Sequence, residues 1–462
     1  MNKLRNNLGS VNFGTVVLDV MTIADEVDSQ LNLGTLFPPD SLCRILELPW
    51  FPALQGSAPR SFGWRTTMRK SAWSVFLLLS VSFAVPRRAA GTQDRDRTPD
   101  LLVDDDKVEC PTATFTSIQD AINAAKAGNL IRVCPGTYRE QLSVNKSLSI
   151  EGDNGAIVLP VNMVANAAGS SGAPIAAAIL VKDAANVEIE GLIVDTANSG
   201  VSACSPDLIG ILYQNSSGSI EHNAVRNTKL SASLNGCQSG DAIVVQSLGD
   251  GTSKVSIGDN SVHDYQKNGI TGNELGTEVT VTNNVVTGLG PTTGAAQNGI
   301  QIGFGAKGGV LRNTVTDNVW APCVSLTNCA FNATGILVFQ SDDVRVEHNS
   351  VATNQVGIFA NGQNAKIESN SISNSLVLVG IDLAGDDGLA SRNDVTNSGQ
   401  AAVLIEGNDN KVQSNDITEA PVGILKLAGT VGNTHSGNSF FDTLIRVQDP
   451  VPAHAVHVAP QR

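Results

Sequence analysis

The sequence predicts an all-β solenoid of the parallel β-helix type, and three observations carry that expectation. Two short patterns alternate down the chain at a nearly fixed period. The units are short, β-branched and punctuated by Gly and Asn, with no 3.6-residue periodicity. The composition supplies an aliphatic interior with few rings: 44 Gly and 4% aromatic residues in a chain of 462.

The first pattern is an apolar residue, two others, Asn, one residue and an apolar residue. It occurs around Asn223, Asn260, Asn284, Asn313, Asn349, Asn370 and Asn415, with Ala in the first place at Asn393 and a degenerate copy at Asn438. The second is Gly or Ala followed by Ile or Val and a short apolar alternation. It starts at Gly210, Ala242, Gly269, Gly299, Gly335, Gly357, Gly380, Ala402 and Gly423. The two interleave as nine units, and the last four Asn-to-Asn spacings are 21, 23, 22 and 23 residues.

A fixed period of this kind is the signature of stacked turns. The Leu framework of leucine-rich repeats and the Gly-Gly-x-Gly-x-Asp nonapeptide are both missing, which leaves a parallel β-helix with coils about 4.8 Å apart. Asn is expected at a tight turn because it tolerates left-handed or bridging backbone. Stacked Asn side chains then hydrogen-bond along the axis as a ladder. The residue after each Gly or Ala, from Ile211 to Ile424, is expected to point inward. Upstream, Ile118, Ala121, Ile122 and Ala125 share one helical face after a potential N-cap, Ser117. This short helix is expected to plug the open first turn.

The stretch "FTSIQDAINAAKAGNLIRVCPGTYREQLSVNKSLSIEGDNGAIV", followed by the Asn and Gly-Ile turns, resembles the right-handed parallel β-helix proteins of the pectin-lyase-like superfamily. The repeats are similar to carbohydrate-binding, sugar-hydrolase and NosD-like modules. The resemblance spans about residues 101–449 and implies fold far more specifically than function.

The N-terminus carries a second message. From Met68, Arg69 and Lys70 precede an apolar run ending at Val85, with small residues at Ser82 and Ala84, which is a signal-peptide layout. We expect residues 1–67 to be a non-native extension, 68–90 a signal peptide, 91–100 a linker and 450–462 a tail. Of seven cysteines, Cys43 falls in the extension. Six remain, as an oxidising compartment favours. Cys110 and Cys134 flank the helix, Cys204 and Cys237 lie in one turn of successive coils, and Cys323 and Cys329 share one insertion; these are the expected bridges. The chain is therefore read as secreted or periplasmic. No second apolar run could anchor the mature chain, and its oligomeric state is left open. The 44 acids outnumber the 30 Lys and Arg for a net charge of −14. That argues against nucleic acid and anionic membrane as partners.

Length variation is confined to the turn before the Gly-Ile strand, at 226–241, 287–298 and 316–334. One-sided insertions commonly build a binding face. In pectate-lyase-like enzymes this turn and strand form the substrate groove. Two positions after each Gly or Ala runs an outward row: Leu212, Val244, Thr271, Gln301, Leu337, Phe359, Asp382, Leu404 and Leu425. Its apolar excess means that the insertions fold over it or that a ligand does. Trp320 could stack on a sugar ring, or pack over Leu337 or Val244. Thr271, Gln301, Phe359 and Trp320 are the expected substrate contacts. Asp382 and Glu406, one turn apart, are the candidate carboxylate pair for glycoside hydrolysis. No cofactor or metal site is assigned; Asp342/Asp343 and Asp386/Asp387 could hold Ca²⁺ or be solvated turn residues.

Departures from the family limit the chemistry. No Arg stands in the outward row, as a pectate lyase base would. The Asn-Thr-Asp, Gly-His-Gly and Arg-Ile-Lys motifs of polygalacturonases are absent, as are the Gly-Gln-Ala-Val-Ala and Asp-Phe-Ile-Phe motifs of pectin methylesterases. The expected function is to bind or process an extracellular polysaccharide, as a lyase or glycoside hydrolase if catalytic. The alternative is a non-catalytic structural or adhesive solenoid.

Overall fold

The computed structural model describes residues 98–325, 329, 331–451 and 459–460. The expected extension and signal peptide lie outside them. From Leu101 onward the chain winds as coils that each place strands in three sheets of 13, 12 and 13 strands. In a typical coil a first-sheet strand, Arg345–Glu347, turns into a second-sheet strand, Ser350–Ala352. A third-sheet strand, Val356–Asn361, completes the circuit. Successive coils pair parallel and in register, Ile336 on Ile358 and Ile358 on Ile381. The exception is Ala167–Ala168, antiparallel to its neighbour.

The interior is a set of aliphatic stacks. Ile211, Ile243, Ile270, Ile300, Ile336, Ile358, Ile381, Val403 and Ile424 are all fully buried. Each Gly before them marks a break in the pairing: Asn268 faces Asn298 and Ile270 faces Ile300, with Gly269 skipped. A Cβ on Gly269 would sit 2.6 Å from Val286 Cγ1. Only Gly, or a small residue elsewhere, lets the strand bend into the corner.

The ladder corrects the expected reason for Asn. The left-handed residue is the one before it: His222, Asp259, Asn283, Arg312, His348, Ser369, Arg392 and Ser414 all have φ between 54° and 59°. The Asn itself is buried and serves through its amide. Asn349 Nδ2 donates to Asn370 Oδ1 at 3.0 Å and to Val310 O at 2.8 Å, while Asn349 N donates to the same Asn370 Oδ1 at 2.9 Å. The same set repeats from Asn223 through Asn260, Asn284, Asn313, Asn370, Asn393 and Asn415 to Asn438. A buried amide with all its groups bonded specifies the register of every coil.

Upstream coils lack this Asn, so the sequence repeat misses them. There the chain packs glycine on glycine: a Cβ on Gly152 would lie 2.8 Å from Gly191 O. Gly191 itself is left-handed, with φ 70°.

Helix α1, Ile118–Ala124, closes the first coil with Ile118, Ala121 and Ile122 buried. Ser117 Oγ caps Asp120 N. Glu140 accepts from Ile118 N and Gln119 N, and Lys146 Nζ donates to Ile122 O and Ala125 O. The acid serves the positive end of the helix and the ammonium its negative end. Cys110–Cys134, Cys204–Cys237 and Cys323–Cys329 are disulfides. The expected C-terminal tail is engaged: Ala459–Pro460 pairs with Phe331–Asn332 of the longest insertion. Among the described residues no helix is long and apolar enough to cross a membrane.

Candidate functional site

The outer face of the third sheet carries two rows because of the break at each Gly. The position before Gly and the position two after it both face outward. The second row is continuous in register from Leu212 to Leu425. Every member is buried.

The three insertions stand along this face as one wall. Ala295 N donates to Asn235 O, and Ala321 N to Thr292 O. Trp320 Nε1 donates to Gly294 O at 2.8 Å. One buried glutamine per insertion fixes it to the coil. Gln266 Nε2 reaches Leu234 O and Cys237 O. Gln297 Nε2 reaches Tyr265 O, and its Oε1 accepts from Leu289 N. Gln355 Nε2 reaches Trp320 O and Cys323 O, and its Oε1 accepts from Ala333 N.

The face is apolar at both ends. At one end Ile175, Ala177, Leu180, Ile209, Leu212 and Val244 form a cluster. At the other, Leu337, Phe359, Leu404 and Leu425 pack with Cys323, Cys329 and Leu378. Trp320 lies against this second cluster and meets Phe331 edge to face, with centroids 5.9 Å apart. Phe359 is buried in this cluster, and Trp320 is half-buried at its edge.

Between the clusters the face is polar. Asp207, Asp241, Lys267, Asn268, Thr271, Asn298, Gln301 and Thr334 fall on five consecutive coils, and all but Asp207 are buried. Asn298 Nδ2 donates to Asn268 Oδ1 and Gln301 Oε1, and Gln301 Nε2 to Asn273 Oδ1. Lys267 Nζ donates to Ala296 O in the wall. Five buried side-chain oxygens here have no partner: Asp207 Oδ1, Asp241 Oδ1, Thr271 Oγ1, Asn298 Oδ1 and Thr334 Oγ1. Gln246 Nε2, on the same strand as Asp241, is a sixth such atom. Burial pushes the Asp207 carboxyl up to about 6 against its bonds to Ser239 and Gly240. It pushes Asp241 well above the carboxylate range, with the neighbouring Asp207 adding to the effect. Burial also pulls the Lys267 ammonium down to about 8, opposed by Asp241. Two carboxyls and an amine are thus shifted toward neutrality on this face.

Asp382 and Glu406 meet in the other environment. Asp382 stands between Phe359 and Leu404 in the row, with Oδ1 unpartnered. Burial, then Glu406, raises its pKa; burial raises that of Glu406 to about 7. Asp342 Oδ1 accepts from Gln363 N and Asp386 Oδ1 from Asn408 N, so these acids brace the next turn. Sequence reasoning had named Thr271 and Gln301 among the residues of this stretch. It missed Asp207, Asp241, Lys267, Asn268 and Asn298. The signal that could have found Asp241, Asn268 and Asn298 was the second outward row, the position before each Gly or Ala.

Comparison with known proteins agrees with the β-helix fold. A model described as a right-handed beta helix region matches residues 248–441. The chain folds as a right-handed parallel β-helix. The surface adhesin PfbA of Streptococcus pneumoniae is similar to this β-helix at 14% identity, covering 72% of this chain and 87% of its own, with a TM-score of 0.50. The A-module of the Azotobacter vinelandii mannuronan C-5 epimerase AlgE6 is 15% identical, over 74% and 94% of the two chains, with a TM-score of 0.48. No curated protein matches the β-helix by sequence.

Proposed function

We propose that this β-helix is exported and binds or processes an extracellular polysaccharide along the polar stretch from Asp207 to Thr334. The observation that carries the reading is the set of partnerless buried polar atoms on consecutive coils. Each would cost about 1–3 kcal/mol if left unmet, and sugar hydroxyls both donate and accept. Coils repeat about every 4.8 Å, so the array suits a ligand that is itself a repeating chain. Export is supported by three disulfides. Chemistry, where it occurs, would fall to Asp207, Asp241 and Lys267.

A non-catalytic adhesive solenoid is the second reading, and the packed surroundings of Asp382 and Glu406 favour it for that pair. A glycan array with reducing-sugar and lyase absorbance screens separates the two. Thr271→Val should weaken binding of any glycan hit about tenfold while leaving the melting temperature unchanged or raised, because its hydroxyl has no protein partner. If the parent binds no glycan, or if Thr271→Val and Gln301→Leu bind every hit as the parent does, the reading fails.

A further inference from the structure

At the N-terminal end, far along the chain from the polar stretch, the segment 104–109 gathers four acids. One carboxylate oxygen from each of Asp104, Asp105, Asp106 and Glu109 lies within 4.8 Å of the others. Among the described residues none of the four is ion-paired. Like charges at such spacing repel unless something neutralises them.

Acids on a surface loop prove nothing alone, and Asp106 and Glu109 are exposed. Asp104 is different. It is fully buried, its Oδ2 accepts from Cys110 N across the loop, and its Oδ1 has no partner. A buried carboxylate turned into the loop, with an oxygen left unmet, is a ligand in need of a cation. Asp105 adds a fixed anchor: its Oδ2 accepts from Thr137 N at 2.9 Å. Gly136 is needed beside it, since a Cβ there would meet Asp105 Oδ1 at 2.3 Å. Lys107 adopts left-handed backbone, φ 62°, which folds the segment back on itself. The nearby grouping of Cys110, Cys134 and Asp153 is no competitor, because its sulfurs are joined in a disulfide.

We propose that the loop 104–109 holds one divalent cation of the Ca²⁺ type, which ties the first strand to the strand that begins at Gly136. The donor set is all oxygen and all carboxylate, the chemistry of a hard cation. Its irregular spacing suits the flexible coordination of Ca²⁺ better than the strict octahedron of Mg²⁺. The site is separate from the outer face of the third sheet and does not depend on what binds there.

The test is calorimetric titration of chelator-treated full-length protein with CaCl₂, together with melting curves with and without Ca²⁺. One site per chain and an upward melting shift are expected. Asp106→Asn and Glu109→Gln, both exposed and so compatible with folding, should each lower the affinity about tenfold or more and shrink the shift. Absence of binding heat and of a shift in the parent overturns the proposal. So does binding of Ca²⁺ by both variants with parental affinity, which would put the ion elsewhere.

Discussion

The outer face of the third sheet runs through two regions built on one backbone. From Asp207 to Thr334 it bears amides, hydroxyls and charged groups with unmet atoms; from Leu337 to Leu427 it bears packed hydrocarbon interrupted by Asp382 and Glu406. Inside, both regions have the same aliphatic stacks and the same Asn ladder. The difference teaches that the inner rows make the fold and that the outer rows are free to diverge. In the apolar region the outer row adds stability, and in the polar region it gives stability up. Such a loss is characteristic of sites made for a ligand.

The largest test of this contrast lies in the apolar region. Phe359 is 3% exposed within its cluster. Phe359→Ala should lower unfolding stability by about 3–5 kcal/mol, measured by denaturant titration, and leave glycan binding intact. Loss of binding at full stability would erase the distinction between the regions.

A middle-sized effect checks that the frame beneath is common to both. Asn313 lies under the polar region and Asn370 under the apolar one, each joined to its neighbours along the ladder. Asn313→Leu and Asn370→Leu should each cost about 1–3 kcal/mol by the same measurement. A large difference between them would show that the outer face reaches into the frame.

The smallest effect is a slope. The Glu406 carboxyl moves from 4.5 to about 7 on folding, so the folded state prefers it protonated. Stability from this group is greatest below pH 4.5, falls as pH rises through 7, and is level above. Asp207, raised to about 6, acts in the same direction. Glu406→Gln should therefore flatten, without abolishing, the decline of melting temperature between pH 4.5 and 7. An unchanged decline would mean that Glu406 is solvated and outside the apolar region.

Much of the frame was legible in the sequence because period and residue type agree there. The inward Ile row, the ladder Asn positions, the Ser117 cap and the paired cysteines each follow from local spacing. Two things were not legible. The left-handed turn residue varies among His, Asp, Asn, Arg and Ser, so no one letter marks it. The row before each Gly was hidden by the skipped pairing, which breaks the two-residue alternation that assigns faces to a strand. Asp241, Asn268 and Asn298 all sit in that blind position. Whether Phe359 and Trp320 face water depends on how far an insertion folds back, and that is a tertiary outcome.

The glutamines at 266, 297 and 355 make the insertions replaceable parts. Each glutamine amide both donates to and accepts from its loop, and loop closure penalises added length only weakly, about 0.6 kcal/mol per doubling. A loop of another length or sequence could be seated on the same amide without disturbing the coil beneath. Exchange of one insertion would keep its glutamine anchor, and the new loop would have to restore the bonds that join it to the neighbouring insertion.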